Sequence, residues 1–145
     1  MLRNRRARHD YELLDRFEAG IVLTGSEIKS LRNGGGSLTE AYARFRGGEL
    51  YLEGMNIPVY RNASYDNHDP VRSRKLLLHR GELRRIRKAL ERQGLTMVPT
   101  GLHFKDGWAK LGLALARGRK NYDKRRKEGE KDARRQMERG LKGSP

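Results

Sequence analysis

The sequence predicts a mainly β fold with flanking helices, in which about six short antiparallel strands form a barrel or a rolled sheet. Apolar and polar residues alternate along several short segments, as they do in strands with one buried and one solvated face. The dipeptides Gly47-Gly48 and Asp106-Gly107 separate two pairs of these segments, and both are typical of hairpin turns. A closed barrel is favoured because closure removes the exposed edges of a small sheet. Two to three helices complete the predicted fold.

The N-terminal part contains one predicted strand and one predicted helix. Residues 4–11 are basic and are expected to be irregular or to form a single helical turn. Residues 18–23 have β-branched residues at their centre and predict a strand. Thr24 and Glu27 have the spacing of a capping box, in which the threonine hydroxyl accepts from the Glu27 amide and the carboxylate reaches back. A helix is therefore predicted over residues 25–32, with the glycines that follow as its end.

A hairpin and a long loop follow this helix. Small or apolar residues alternate with polar ones over residues 41–46 and 50–53, and the two glycines between these segments form the turn. Residues 60–74 form a loop rich in Asn, Asp, Ser and Pro. A loop of this length is uncommon, so we expect it to be functional or disordered. Residues 75–79 predict a short strand.

The last helix and the last strands have clear local signals. Three apolar residues recur at helical spacing: Leu83, Ile86 and Leu90. The helix is predicted to end at Gln93, because Gly94 is a typical C-cap. Three more strands are predicted, over residues 95–99, 101–105 and 108–116. In the last of them the inward face is expected to consist of alternate apolar residues: Ala109, Leu111, Leu113 and Leu115.

Positive charge is concentrated at the C-terminus. The chain has 145 residues and a formal net charge of +15. From Arg117 onward there are 12 bases and five acids, so one fifth of the length carries +7. Lysine and arginine bind polyanions by displacing the counterions condensed on phosphates, which favours a nucleic-acid partner. A membrane surface fits less well, because this segment has almost no aromatic or leucine-rich face to insert.

The distribution of apolar residues divides the chain in two. The apolar residues concentrate before about Leu115, so residues 1–118 are predicted to form the β-barrel domain. Residues 119–145 are predicted to form a basic tail. Its few apolar residues at helical spacing form a stripe too thin to bury, although its helix propensity is good. We therefore expect the tail to be disordered when free and to become helical when it binds a partner.

Several classes of protein and site are disfavoured. The chain has no cysteine, which excludes disulfides and thiolate metal sites. No apolar run approaches the ~20 residues of a membrane span and no secretion signal follows Met1, so a soluble, cytoplasmic protein is expected. Nucleophile, phosphate-loop and zinc-protease motifs are absent. His68 and His79 could share a metal, but a helix cap or a base contact is the better interpretation of His79. We expect no cofactor and no enzymatic activity.

Three other patterns leave alternatives open. Residues 34–36 are three glycines that could cradle a phosphate, but a C-cap turn is favoured because they follow a helix. Aromatic and basic residues alternate over residues 42–46 and at Tyr60-Arg61, which suits stacking on unpaired bases. Ordinary packing of Tyr42 and Phe45 is equally compatible with this pattern. Trp108 is expected either to be exposed or to cover one end of the barrel.

Five sequence blocks, in order, resemble one protein family. The blocks are residues 4–11 (NRRARHDY), 18–32 (EAGIVLTGSEIKSLR), 69–79 (DPVRSRKLLLH), 94–99 (GLTMVP) and 115–125 (LARGRKNYDKR). Together they resemble the SsrA-binding proteins, also called small protein B, and the similarity is collinear over essentially residues 4–125. Beyond Arg125 only the basic, helix-prone composition is shared.

The resemblance implies a bacterial RNA-binding protein of trans-translation with an oligonucleotide-binding-type barrel. The family binds the tRNA-like domain of transfer-messenger RNA and delivers it to stalled ribosomes. Matching motif positions imply a set of RNA-binding residues: His9, Glu18, Lys29, Arg74, Lys75, Leu77 and His79. The family's tail lies in the empty messenger channel of the small subunit, near the decoding centre. The resemblance implies that one segment reaches that site: Gly118, Arg119, Lys120, Tyr122, Asp123, Lys124 and Arg125.

Glu18 is an unexpected member of the RNA-binding set, because a carboxylate repels phosphate. It either accepts a hydrogen bond from a base edge or a 2′-hydroxyl, or orients a neighbouring arginine, or is a strand-end carboxylate paired with Arg16. The alternative function is that of a ribosomal protein or translation factor whose oligonucleotide-binding barrel binds structured RNA. Such a protein would share the charge and the tail, but it would not need the block of residues 18–32.

Overall fold

The computed structural model describes residues 2–59 and 68–118. The strands in these residues are β1 (Leu2–Arg3), β2 (Tyr11–Ile21), β3 (Tyr42–Arg46), β4 (Glu49–Glu53), β5 (Arg74–Leu77), β6 (Thr96–Lys105) and β7 (Trp108–Gly118). The helices are α1 (Arg5–Asp10), α2 (Gly25–Arg32) and α3 (Arg80–Gln93). The predicted tail over residues 119–145 and the aromatic–basic pair Tyr60-Arg61 lie outside the described residues.

Six of these strands form a closed antiparallel ring. They are neighbours in the order β6, β3, β4, β5, β2 and β7, and the pairing of β7 with β6 closes the ring. The short strand β1 adds to β6, where Leu2 pairs with Leu102. An antiparallel sheet with three flanking helices confirms the predicted fold class. The ring is also consistent with the oligonucleotide-binding-type barrel that the resemblance implies.

Helix α2 begins at the capping box that the sequence predicts. Thr24 Oγ1 accepts from the Glu27 amide at 3.4 Å, and Glu27 Oε1 accepts from the Thr24 amide at 2.9 Å. Each bond satisfies an amide that has no partner within the helix. Leu31 is buried in the core. Ile28, on the same helix, is only partly buried.

Local signals also determine the end of α3 and the last hairpin. Helix α3 ends at Gln93, and Gly94 follows with a φ of +61°, the left-handed conformation of a glycine C-cap. Asp106 and Gly107 both have positive φ, +53° and +80°. Positive φ at both central residues is what a two-residue hairpin turn requires. Both predictions are confirmed. Each feature depends only on residues close in sequence, which is why the sequence alone could predict it.

Strand β2 is longer than the sequence predicted. It begins at Tyr11, seven residues before the predicted start at Glu18, and it pairs with β7 over most of its length. The pairing register shifts between Leu13 and Arg16. An extra residue in one strand interrupts the alternation of inward and outward side chains. The first half of β2 therefore lacks the pattern by which a strand is recognised.

The prediction of two separate strands over residues 95–99 and 101–105 was wrong. These residues belong to the single strand β6, which pairs with β7 on both sides of the supposed break. The register shifts between Pro99 and Gly101. The proline and glycine therefore mark an irregularity inside one strand, which is a common position for both residue types.

The ring encloses the main hydrophobic core. The inward face of β7 is the predicted one: Ala109, Leu111, Leu113 and Leu115 are all buried. Helix α3 covers the core with Ile86, which has no exposed surface. A second, smaller cluster lies beneath α1, where Ala7 packs with Val98 and Ala116. Strand β7 is therefore buried on both faces near its C-terminal end.

A buried ion pair joins α2 to β5. Arg74 Nε donates to Glu27 Oε2 at 2.5 Å, and neither side chain has any solvent exposure. Arg74 also donates to three backbone carbonyl oxygens, those of Met55, Pro70 and Arg72. The Arg72 guanidinium donates to the other oxygen of the Glu27 carboxylate, Oε1. The cluster fixes the segment before β5 against the start of α2.

This cluster controls the ionisation of Glu27. Burial alone would raise the pKa of the carboxyl, because it penalises the charged form. Hydrogen bonds from Arg72, the Thr24 amide and Arg74 outweigh burial, so the pKa of Glu27 lies below its ordinary value. The carboxylate is therefore charged at neutral pH and compensates the buried guanidinium of Arg74.

Candidate RNA-binding groove

A groove of about 540 Å³ lies on the outer face of the sheet, where β2, β5 and the β6–β7 turn meet the start of α3. Five of its side chains carry the chemistry considered below: Glu18, Leu77, His79, Trp108 and Lys110. We call this surface the RNA groove. Three of the five residues are in the set implied by the resemblance. Trp108 was left without a site role and Lys110 was not singled out.

Strand pairing brings these residues together from distant parts of the sequence. Strand β2 lies between β5 and β7, and Gly20 pairs with Leu77 on one side and with Lys110 on the other. Glu18 lies on the same outer face, opposite Gly112. A Cβ atom at Gly20 would be 3.4 Å from Leu77 Cβ, so Leu77 lies close over the glycine. The groove thus depends on a glycine in β2 and on the register of three strands.

The groove exposes an unusual amount of apolar surface. Val22 is 45% exposed, Leu77 51% and Trp108 70%. Single exposed apolar residues are normal, but a cluster of them in a concave surface indicates a binding site. An aromatic side chain with its ring in solvent can stack on an unpaired nucleobase. The exposure of Trp108 also decides between the two placements that the sequence allowed.

The polar residues of the groove can supplement stacking. Glu18 is exposed and, among residues 2–59 and 68–118, its carboxylate has no hydrogen-bond or ion-pair partner. The pairing with Arg16 considered from the sequence is therefore not formed. An ionised carboxylate can accept two N–H donors from a base edge. Lys110, on the neighbouring strand, can bind a phosphate that follows that base.

His79 and Lys75 border the groove. His79 precedes α3 and is exposed, and its amide donates to Glu82 Oε1 at 3.2 Å. Lys75 lies on the outer face of β5 with Leu77, since Arg74 and Leu76 point inward. Lys75 Nζ is 4.0 Å from Glu49 Oε2, and both side chains are nearly half exposed. Surface ion pairs of this kind contribute little to stability, so the lysine can exchange Glu49 for a phosphate.

His9 and Lys29 do not line the RNA groove. His9 is exposed near the end of α1, and its Nδ1 is 2.9 Å from Asp10 Oδ1. Seven β-strand steps between Tyr11 and Glu18 separate it from the groove, about 23 Å at ~3.3 Å per residue. Lys29 is exposed on α2. The structure therefore does not bring these two residues together with Glu18.

The expectation that Arg74 contacts RNA directly is contradicted. Its side chain has no exposed surface, and its guanidinium donates to Glu27 and to backbone carbonyl groups. The sequence showed a cation in a basic motif, but its partner Glu27 lies 47 residues earlier. Arg74 instead supports β5, whose opposite face carries Lys75 and Leu77.

The residues assigned to the decoding centre begin where the described part of the chain ends. Gly118 is the last residue of β7 and pairs with Tyr11. The other members lie outside the described residues: Arg119, Lys120, Tyr122, Asp123, Lys124 and Arg125. Gly118 therefore lies beside α1, at the opposite end of β7 from Trp108.

The metal alternative for His68 and His79 has no support in the described residues. His68 Nε2 donates to the Ile57 carbonyl at 2.8 Å, and Nδ1 is 2.9 Å from Ser26 Oγ, so both ring nitrogens are engaged. Residues 2–59 and 68–118 contain no cluster of three potential metal ligands. In the same residues, none of the helices has the length and hydrophobicity that a membrane span requires.

Comparisons with known proteins give consistent matches over almost the whole chain. Residues 1–143 match the family model described as SmpB protein. An SsrA-binding protein of Deinococcus radiodurans is 55% identical over 134 residues, which cover 92% of this chain and 94% of the relative. One from Thermus thermophilus is 53% identical over 139 residues, covering 95% and 96%. A solved structure described as "tmRNA-SmpB: a journey to the center of the bacterial ribosome" contains a chain that is 54% identical. Its TM-score is 0.70, with 92% of this chain and 94% of that chain covered.

Proposed function

This chain belongs to the SmpB protein family, and we propose on that premise that it binds transfer-messenger RNA and acts with it on stalled ribosomes in trans-translation. The similar proteins are named for binding SsrA, the transfer-messenger RNA, and the similar solved structure is of such a protein with that RNA and the ribosome. In this proposal the chain is a cytoplasmic RNA-binding protein without catalytic activity. Residues 1–118 bind the tRNA-like domain, and residues 119–145 occupy the messenger channel at the decoding centre.

The observation that carries this proposal is the RNA groove itself. It combines exposed aromatic and apolar side chains with an unpaired carboxylate and nearby lysines, on a chain of net charge +15. Positive charge attracts any RNA, whereas stacking and hydrogen bonding to base edges select particular nucleotides. Single-stranded loops offer such bases, and the loops of a tRNA-like fold provide them.

Each part of the groove has a role in this mechanism. An unstacked base lies against Trp108 and Leu77, with its edge towards Glu18. The carboxylate accepts from base N–H groups, which only some bases present. Lys75 and Lys110 bind flanking phosphates as point charges. The lysines therefore provide affinity for RNA in general, and Glu18 provides selectivity for particular bases.

Trp108 provides a direct spectroscopic test, because it is the only tryptophan in the chain. Titration with the isolated tRNA-like domain is expected to quench its fluorescence as the base stacks on the indole. Trp108→Ala should weaken binding by about 1–3 kcal/mol, the usual contribution of one stacked base, which is roughly 5- to 150-fold in Kd. Tyr42→Ala is the control, because Tyr42 is exposed on β3 outside the groove. Unchanged fluorescence at saturating RNA would contradict this site.

Glu18 is tested by comparing Glu18→Gln with Glu18→Ala. If the carboxylate accepts a hydrogen bond from RNA, each variant should lose about 1.5–3 kcal/mol of binding free energy, measured by titration. Glu12→Gln is a matched control, because Glu12 is also an exposed carboxylate on β2 but pairs with Arg117 near the other end of the strand. A loss of thermal stability with unchanged affinity would remove Glu18 from the binding site.

The RNA that the protein captures distinguishes the proposed function from its alternative. In the alternative, the chain is a ribosomal protein or translation factor that binds structured RNA. Pull-down from a bacterial lysate, followed by sequencing of the bound RNA, is expected to enrich transfer-messenger RNA. Enrichment of ribosomal RNA alone would favour the alternative.

A further inference from the structure

Helix α3 is strongly basic, and its packing against the core does not require these charges. Its 14 residues, RGELRRIRKALERQ, include six bases and two acids. The bases lie on two flanks beside the buried Ile86. The first flank carries Arg80, Arg84 and Arg87, and the second carries Arg85, Lys88 and Arg92.

The first flank forms a second groove with the β3–β4 turn. This arginine groove has a volume of about 350 Å³, and its opposite wall includes Phe45, Gly47 and Gly48. A Cβ atom at either glycine would have nothing within 4 Å, so the turn leaves the groove open. Glu49 is the only acid among the lining residues. The groove thus combines three guanidinium groups with one carboxylate.

The arginines of this groove are available to a ligand. Among residues 2–59 and 68–118, Arg80 and Arg84 make no side-chain hydrogen bond or ion pair. Arg87 is held more firmly, with its guanidinium 5.5 Å from the Phe45 ring centroid and its Nε 3.4 Å from Glu91 Oε1. Both side chains of the pair with Glu91 are more than half exposed, so the pair contributes little to stability. Arg87 can therefore exchange Glu91 for a phosphate.

The arginine groove adjoins the RNA groove at the start of α3. His79 and Glu82 line the RNA groove, while Arg80 and Leu83 line the arginine groove. At 1.5 Å of rise per residue, these positions lie within about one helical turn. Lys75 borders both surfaces, because its ammonium contacts Glu49, which lines the arginine groove. The two grooves therefore meet at the junction of His79 and Arg80.

We propose that RNA held in the RNA groove continues over the start of α3 and that Arg80, Arg84 and Arg87 bind its phosphates. The ligand of the arginine groove is the phosphate backbone of the same RNA molecule. Arginine suits this role because its planar guanidinium can donate two parallel hydrogen bonds to one phosphate. Such contacts fix the path of the RNA without reading its sequence. This inference rests on the proposed function.

The second flank of α3 provides a matched control. Lys88 and Arg92 are exposed bases on the same helix, but they line a different cavity together with Asp15. Arg85, on that flank, lies over the Phe17 ring at 5.2 Å. A double variant of Lys88 and Arg92 removes as much charge as a double variant of Arg80 and Arg84. Only Arg80 and Arg84 line the arginine groove.

The test measures affinity for the transcribed tRNA-like domain at several salt concentrations. Arg80→Ala with Arg84→Ala should weaken binding and reduce the slope of log K against log salt by about 1.4–1.8, since each phosphate contact contributes ~0.7–0.9. Lys88→Ala with Arg92→Ala should leave the slope within about half a unit of the wild-type value. Thermal melting should be nearly the same for both variants, because all four residues are exposed.

The outcomes separate this inference from the proposed function. Equal slopes for the two double variants, or a wild-type slope for the Arg80/Arg84 variant, would overturn the arginine groove. If Trp108 fluorescence still responds to RNA in that case, the proposal for the RNA groove stands and only its extension to the arginine groove is rejected. A wild-type protein that does not bind the tRNA-like domain would overturn both proposals.

Discussion

Replacing Glu27 with glutamine is expected to lower the free energy of unfolding by about 3–5 kcal/mol, the usual cost of removing one partner from a buried ion pair. The change keeps the shape of the side chain but leaves the Arg74 guanidinium buried without a counter-charge. Arginine cannot avoid this cost by losing its proton at neutral pH. Urea unfolding followed by circular dichroism measures the difference.

Glu40→Gln is the matched control, because Glu40 also pairs with an arginine but on the surface. Its Oε1 is 3.3 Å from Arg6 Nη1, with side-chain exposures of 81% and 62%. Exposed pairs of this kind contribute about 0–1 kcal/mol. If both variants unfolded at similar urea concentrations, the buried cluster would not have the structural importance assigned to it.

The same variant tests the pH dependence of stability. Because the pKa of Glu27 is lower in the folded chain than its ordinary value of 4.5, the carboxylate stabilises the fold at and above that pH. This contribution is lost as the pH falls below 4.5 and through the folded-state pKa. The stability difference between wild type and Glu27→Gln should therefore narrow in acid. A constant difference between pH 7 and pH 3 would contradict the assignment.

Removal of all residues after Gly118 is expected to abolish peptide tagging on stalled ribosomes while RNA binding falls only modestly. In the proposed function the groove binds the tRNA-like domain, and the removed segment fills the messenger channel. The truncation also removes 11 bases and five acids, a net +6 of the chain's +15, so a modest loss of affinity is expected. Tagging is measured in a translation reaction programmed with a truncated message, and affinity is measured by the Trp108 titration.

Smaller changes in the tail should act in the same direction. Substitution of Tyr122 alone, or of Asp123, Lys124 and Arg125 together, is expected to reduce tagging less than truncation does. These variants retain most of the charge, so RNA affinity should stay close to wild type. Full tagging by the truncated protein would contradict the role proposed for the tail.

Local sequence signals predicted the elements whose stability is determined locally. The capping box at Thr24, the Gly94 C-cap and the Asp106-Gly107 turn each involve residues within a few positions, and all three are present. The errors occur where strand pairing overrides the local pattern. Register shifts in β2 and β6 hide the alternation that identifies a strand. Their positions depend on partner strands distant in sequence.

The candidate site likewise combines residues that the sequence could identify with a residue that only strand pairing brings to the groove. Motif resemblance identified Glu18, Leu77 and His79, which the structure places in one groove. Lys110 was missed because only the pairing of β2 with β7 brings it beside Glu18. A partial signal existed, since the inward face of β7 was assigned correctly and its outward face begins with Trp108 and Lys110. That signal could not indicate which strand would lie alongside.

Strand β7 also sets a fixed distance between two parts of the proposed mechanism. Lys110 lies in the RNA groove and Gly118 is the last residue of β7, so eight β-strand steps separate them, about 26 Å at ~3.3 Å each. Because β7 is paired with β2 on one side and β6 on the other, this span behaves as a rigid spacer rather than as a linker. Lys110 and Gly118 therefore keep a constant offset and orientation. In the proposed mechanism, positioning the RNA on the ribosome also determines where the tail begins its path.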